Sequence, residues 1–271
     1  MRTGRAVLAL VVAVVGLSAA FVIAPGWLAS DGSTGRFAGE PQLAAALRRS
    51  FADYWGSGDR TLSPDLQRLA DYWSRYHVAK GVIASLLLIA FVLLGVLLWR
   101  AFRQSGGRGR ARRAGLAAAS GLAAVLALFS SAVVMANAQG AVAPFASLMP
   151  LLVDHAAGTE FAGTLDQVRA ADASGVAGSM PPALQTMTDD FARYHVAMVV
   201  IAGVAAVVLA ALAVTCWRRF AHARSAERGV WAGFGVVAAL SLFAVLAVAA
   251  ANATTAADPA PAFAAFLNGG W

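Results

Sequence analysis

The feature that most constrains this chain is a set of five apolar runs, each of the ~20 residues that a helix needs to cross a bilayer. Only helices and closed barrels satisfy the hydrogen-bonding groups of the backbone in lipid. The alternation of apolar and polar residues over ~10 positions that is typical of barrel strands does not occur here. The sequence therefore predicts an all-α, polytopic membrane protein with five transmembrane helices. The apolar runs cover residues 6–29, 79–99, 115–136, 196–217 and 229–251.

Basic charge is concentrated in two loops, residues 100–113 and 218–228, whereas every acidic residue except Glu227 lies elsewhere. The positive-inside rule places these loops and the amino terminus in the cytoplasm, and the carboxyl terminus outside the cytoplasmic membrane. The net charge is +7, but its placement in two short loops indicates multi-pass topology and not a nucleic-acid partner. Arginine clusters beside a span can also hold anionic lipid.

The first apolar run has a second interpretation as a cleaved secretory signal peptide. Its length exceeds the ~7–15 residues of a signal core, and Pro25 follows the most obvious cleavage point. We therefore expect an uncleaved first span.

A sixteen-residue segment occurs twice, as PDLQRLADYWSRYHVA at 64–79 and PALQTMTDDFARYHVA at 182–197, with nine identities at an offset of 118. We call these segments the first and second copy. Each runs directly into an apolar span, and both have the same predicted orientation, so the sequence predicts an internal parallel duplication. The motif residues of the copies and of the matching span ends are Asp71, Arg75, Tyr76, His77, Asn137, Asp189, Arg193, Tyr194, His195 and Asn252.

The duplication divides the chain into four parts: the first span, two repeats that each contain extracytoplasmic helices, a span and an Arg-rich loop, and the last span with an interfacial tail. The second repeat also begins with a span. These parts are residues 1–29, 30–114, 115–228 and 229–271.

The regions outside the spans are predicted to form a helical extracytoplasmic cap. Ser63, Pro64 and Asp65 are typical of a helix start, and we expect one helix of about 37 residues from there to Arg100. Amphipathic helices are expected at 41–55 and 164–171. Two further expectations concern side chains: i,i+4 ion pairs join Asp71 to Arg75 and Asp189 to Arg193, and the tail is anchored at the membrane interface by Phe263, Phe266 and Trp271.

His77 and His195 are the candidate cofactor-binding residues, because the duplication gives them equivalent positions at the ends of two spans. Two imidazoles from facing helices could ligate haem or a transition metal. The alternative is structural: each imidazole is an interfacial anchor that bonds Asn137 or Asn252 on a neighbouring helix. The second interpretation needs no cofactor.

No charged residue lies near the middle of a predicted span, since Lys80 is at an edge, and this disfavours an ion-coupled transporter. The chain also has no Walker A, HExxH, GxSxG or Cys-x-x-Cys motif, so it is predicted to be non-enzymatic. A scaffold or accessory subunit is the leading interpretation, and a small-molecule or lipid carrier is a further one. Expected partners are the bilayer, other membrane proteins, or a second copy through the glycines at 229, 233 and 235.

Three stretches carry a resemblance: RYHVA at 75–79, ANAQGAVAPFASL at 136–148, and ANATTAADPAPAFAAFLNGGW at 251–271. In these the chain resembles a family of uncharacterised multi-span membrane proteins of high-GC actinobacteria. The almost Lys-free, Ala- and Arg-rich composition agrees with such a source. The resemblance implies a multi-span fold and no particular activity. Some members are labelled as carrying a twin-arginine export signal, but here no Arg-Arg pair precedes the first apolar run.

Overall fold

The computed structural model is helical throughout the parts of the chain that it describes, and these parts contain turns but no β-strand. The fold class predicted from the apolar runs is therefore confirmed. The described residues are 2–31, 37–105, 109–154, 161–174 and 180–270.

Long helices alternate with short ones along the chain. Five of them (α1, α3, α4, α8 and α9) are long and apolar enough to cross a membrane, which is the predicted number. In chain order the helices are α1 Arg2–Ala29, α2 Glu40–Ser57, α3 Pro64–Gln104, α4 Arg110–Val142, α5 Pro144–Leu148, α6 Pro150–Val153, α7 Ala162–Ala173, α8 Pro182–His222, α9 Ser225–Ala257 and α10 Pro259–Leu267.

The helix that carries the first copy begins as its sequence predicts. The backbone N–H of Leu66 donates to the Ser63 hydroxyl (3.4 Å), Pro64 is the first helical residue, and Asp65 lies in the first turn. The helix continues without interruption for 41 residues, four more than expected from the sequence. The α8 helix that carries the second copy also has 41 residues, and α4 and α9 have 33 each.

The chain divides into two compact units, which we describe separately. The span unit consists of the described residues of Met1–Ala24, Lys80–Asn137 and Ile201–Ala249. The core unit consists of the described residues of Pro25–Ala79, Ala138–Val200 and Ala250–Trp271, and it includes both copies.

The core unit is held together by apolar side chains from its short helices and from the two copies. The predicted amphipathic helices are present within α2 and α7, and Phe51 and Tyr54 of α2 are at most 1% exposed. Leu66 and Leu184, which occupy the same place in the two copies, are both fully buried. Burying each such side chain contributes about 1.5–3 kcal/mol of transfer free energy, so this unit has a protein-like interior of its own.

The tail differs from its prediction. It forms α10, in which Phe263 is fully buried and Phe266 is 5% exposed, and the Phe263 ring lies 5.3 Å from that of Phe191. These rings anchor the tail to the core unit instead of to a membrane interface, because Phe191 of α8 offers them an apolar protein surface. Trp271, the third predicted anchor, lies outside the described residues.

The span unit shows the reverse distribution of apolar side chains. Large side chains such as Phe129, Val207 and Phe243 are 66–74% exposed, which suits contact with lipid. Close helix packing occurs where a small residue permits it: a Cβ on Gly235 would lie 3.1 Å from the Trp217 ring. The Lys80 amine lies 4.7 Å from the centre of the Phe21 ring.

Candidate functional site

In the first copy, the His77 ring lies in an aromatic cluster and against a neighbouring helix. It packs edge-on to the rings of Trp73 (4.9 Å) and Tyr76 (5.9 Å). On another side it meets the backbone of α4 at Gly140, where an added Cβ would lie only 2.8 Å from Nε2 and Cδ2 of the imidazole. Only glycine at position 140 permits this approach, so the ring serves as a packing element between α3 and the end of α4.

In the second copy, the His195 ring makes equivalent aromatic contacts and is hydrogen-bonded to a neighbouring helix. Its neighbours are Phe191 (4.7 Å) and Tyr194 (5.7 Å), at the positions equivalent to Trp73 and Tyr76. Its Nδ1 lies 2.8 Å from Oδ1 of Asn252 in α9. This is the structural contact that the sequence suggested for His195. An amide oxygen can only accept, so Nδ1–H of the ring is the donor in this contact.

The predicted ion pair between Asp71 and Arg75 does not form. Asp71 instead accepts a hydrogen bond from the Gln67 side chain (2.8 Å). Arg75 turns toward the end of α1, where Nε donates to the carbonyl of Ala29 (2.9 Å) and Nη2 pairs with Asp31 (2.8 Å). The prediction was wrong because a carbonyl and a carboxylate from another segment compete successfully with an exposed pair on one helix.

The second predicted pair is also replaced. Asp189 faces Arg60 at 3.4 Å, in a contact where both side chains are more than 60% exposed. Arg193 pairs with the adjacent carboxylate, Asp190, at 3.1 Å. The shift by one residue places the guanidinium, which is itself 63% exposed, beside a carboxylate that is 10% exposed.

Asp190 is the functional-looking group that sequence reasoning missed. Its side chain is 10% exposed, and Oδ2 accepts a hydrogen bond from the backbone N–H of Ala146 (2.8 Å) near the amino end of α5. Burial raises the pKa of this carboxyl, and the N–H of Ala146 and the charge of Arg193 oppose that rise. A signal was present, since Asp190 follows Met187 by three residues and therefore falls on the buried face of α8.

Two amides near the end of α4 also bond to backbone. Gln139 is 5% exposed, and its Nε2 donates to the carbonyl of Tyr194 in the second copy (3.0 Å). Asn137 is 7% exposed, and its Nδ2 donates to the carbonyl of Val133 one turn earlier (2.8 Å). Gln139 thereby ties α4 to α8 at the residue that precedes His195.

One face of each copy therefore lies in a packed interior. A cavity in the core unit, lined by residues that include Phe51, Met149 and Phe266, has a volume of about 10 Å³. That is at most the space of one water molecule, which needs ~10–15 Å³. Among the described residues no group of three His, Cys, Asp or Glu side chains is placed to hold a metal ion. Comparison of the chain with protein-family profiles, curated proteins and solved structures found no match.

Proposed function

We propose that this chain is a non-enzymatic integral membrane protein that acts as a scaffold or accessory subunit through its core unit. One observation carries the proposal: the polar side chains of the two copies bond to the protein's own backbone and side chains. Arg75 bonds Ala29, Asp190 bonds Ala146, and His195 bonds Asn252. Polar side chains that bond within the protein fix the structure of the core unit. A core unit of fixed structure suits a protein that presents a surface to partners.

A carrier fits the core unit less well. Transport of a small molecule needs a cavity that encloses it, and ligand cavities usually measure about 300–1,000 Å³. The cavity beside Phe51, Met149 and Phe266, with a volume of about 10 Å³, falls far short of that range.

We also propose that the two halves arose by parallel duplication. The bounds of α3 and α8 differ by 118 at both ends, the same offset that aligns the copies. The bounds of α4 and α9 differ by 115 at both ends.

The membrane topology follows from the Arg-rich loops, which support a cytoplasmic amino terminus and an extracytoplasmic core unit. In a Cys216→Ser background, a cysteine at Arg68 should react with an impermeant thiol reagent on intact cells, and one at Arg112 should not. The reverse labelling would overturn this topology.

Site-specific photo-crosslinking in the native membrane tests the scaffold proposal. Asp71 and Asp189 occupy equivalent, exposed positions in the two copies, and a photoreactive side chain at either should give one adduct of defined mass. Arg219, exposed in the span unit, provides the matched control and should not give that adduct. If neither core-unit position cross-links to another protein or to a second copy, the scaffold proposal fails.

Haem or metal binding by His77 and His195 is the second candidate, and one observation favours it. In a neutral imidazole, donation from Nδ1 to Asn252 would leave the lone pair on Nε2, and ligating histidines are commonly oriented by such a bond. An absorbance spectrum with metal analysis of the purified protein, beside the His77→Ala/His195→Ala variant, decides between the candidates. A Soret band or stoichiometric metal that the variant loses would support the second candidate, and a blank in both would remove it.

A further inference from the structure

The end of the span unit where α3 and α8 finish and α4 and α9 begin is strongly basic. Arg108 lies outside the described residues, and Glu227 is the one acidic residue in the two loops. Of the nine described arginines here, Arg113 is half-buried and the others are exposed. They are Arg100, Arg103, Arg110, Arg112, Arg113, Arg218, Arg219, Arg224 and Arg228.

One arginine of each loop stacks on an aromatic ring, and the two pairs occupy equivalent places in their helices. The Arg113 guanidinium lies 5.1 Å from the centre of the Phe102 ring, and that of Arg228 lies 5.6 Å from the centre of the Phe220 ring. Each arginine is the fourth residue of its helix, and each phenylalanine stands two residues before the end of the preceding helix. Stacking engages the face of the guanidinium and leaves N–H groups at its edge available to an anion.

Aromatic and charged contacts bring the two loops to the same place. Trp99 of α3 packs edge-on against Trp231 of α9 at 5.2 Å, and Arg103 lies 3.9 Å from Glu227. The two loops thus meet beside a pair of tryptophans, Trp99 and Trp231. Tryptophan is typical of the level at which lipid headgroups lie.

Topology alone would not require this arrangement. The positive-inside rule depends on charge, so unstacked lysines would serve equally well. Guanidinium groups fixed on rings match the geometry of a phosphate diester, which accepts two parallel hydrogen bonds from one arginine. Exposed apolar side chains on the same helices, such as Leu122 and Leu240, offer surface to acyl chains.

We propose that this end of the span unit binds anionic phospholipids, with Arg113 and Arg228 each contacting a headgroup phosphate. The apolar surface below the arginines selects a lipid over a free phosphate ion. The site is independent of the scaffold function proposed for the core unit.

Native mass spectrometry of the full-length protein, released from nanodiscs of phosphatidylglycerol or phosphatidylcholine, tests the proposal. We expect retention of phosphatidylglycerol over phosphatidylcholine by about twenty-fivefold, since each of the two arginines near the membrane surface favours an anionic lipid about fivefold. Millimolar inorganic phosphate should leave the bound lipid in place. Equal retention of the two lipids, or displacement by phosphate, would overturn the proposal.

Lysine substitutions separate geometry from charge. Arg113→Lys/Arg228→Lys keeps the net charge, and therefore the topology, but removes the planar fork and should reduce phosphatidylglycerol retention about threefold or more. Arg110→Lys/Arg224→Lys, at two exposed arginines of the same loops, is the matched control and should change retention less than about twofold. Equal retention by both variants would show that no stacked-arginine site exists. Circular dichroism establishes that each variant retains its helices.

Discussion

The two copies have the same helical frame but different neighbours. Leu66 and Leu184 are both fully buried, and each histidine packs against aromatic rings one and four residues before it. Positions 72 and 190 are equivalent and buried, yet the first is Tyr and the second is Asp. The Tyr72 ring packs edge-on to Phe37 at 5.0 Å, whereas Asp190 accepts a hydrogen bond from Ala146.

This difference shows which positions a duplication leaves free to change. The buried Leu66 and Leu184 are identical, whereas the ring one turn before each histidine changes from Trp73 to Phe191 without loss of the contact. Identical residues can also take different partners: Arg75 reaches Ala29 and Asp31 before α2, while Arg193 stays on its own helix with Asp190. We expect these differing contacts to stabilise the two copies unequally.

The largest effect is expected at Gly140. Valine there would overlap the His77 ring, and overpacking of this kind costs about 1–3 kcal/mol in the free energy of unfolding. SDS titration of the protein in mild detergent, followed by circular dichroism, measures that energy. Gly121→Val is the control in the same helix, because a Cβ at Gly121 meets nothing within 4 Å, and it should be nearly neutral. The His77→Ala change should relieve the cost at Gly140; no relief would refute the packing role of the histidine.

Asp190→Ala should be the next most destabilising change. It leaves the N–H of Ala146 without its carboxylate acceptor in a buried place, at a cost of about 1–3 kcal/mol in the same titration. The equivalent Tyr72→Phe keeps the ring and should cost less. If Asp190→Ala proved as mild as Tyr72→Phe, the carboxylate would not support α5.

The pH dependence of Asp190 gives a related prediction. Because the folded-state pKa is raised, the folded protein binds the proton more tightly, so its stability falls as pH rises from the ordinary Asp pKa through the raised one. Asp190→Asn can still accept the bond from Ala146 and does not titrate. Its unfolding free energy relative to wild type should therefore increase over that window, as measured by SDS titration at several pH values. If this difference in unfolding free energy did not change with pH, burial would not raise the pKa of Asp190.

Arg75→Ala should destabilise more than Arg193→Ala. The first change removes contacts that tie α3 to the end of α1, worth about 1 kcal/mol for a partly exposed group. The second removes a pair in which the guanidinium is 63% exposed, and such pairs contribute about 0–1 kcal/mol. Parallel SDS titrations of the two variants provide the comparison. A larger loss of unfolding free energy for Arg193→Ala would show that its contact, and not that of Arg75, is the stronger one.

The smallest effect is the coupling between His195 and Asn252. A double-mutant cycle of His195→Ala and Asn252→Ala should give about 0.6 kcal/mol, the usual size of a polar contact between membrane helices. His77→Ala with Asn252→Ala provides the comparison cycle. Coupling of equal size in that cycle would show that the energy does not reside in the His195 bond.

Sequence reasoning recovered the helices because their signals are local. The start of α3 at Pro64 follows from the Ser63 cap and the first-turn acid, and the five spans follow from apolar length. The apolar faces of α2 and α7 were likewise visible as helical periodicity.

Contacts between distant segments were not recoverable in the same way. The spacing of aromatic residues in the tail is the same whether they face lipid or protein. The sequence therefore could not distinguish burial of Phe263 within the protein from anchoring at a membrane. Arg75 was assigned to Asp71 because spacing on a helix is visible in the sequence, whereas the approach of Asp31 is not. The Gly140 contact with His77 depends on how two helices pack, and no residue pattern encodes it.

The most direct test of the scaffold proposal is the mass of the particle released from the protein's own membrane, measured by native mass spectrometry. The account predicts one discrete species heavier than the 27.8 kDa chain with its bound lipid. In the Asp71→Arg/Asp189→Arg variant, which alters an exposed residue of each copy, that species should dissociate. A wild-type particle with the mass of a single chain would contradict the account.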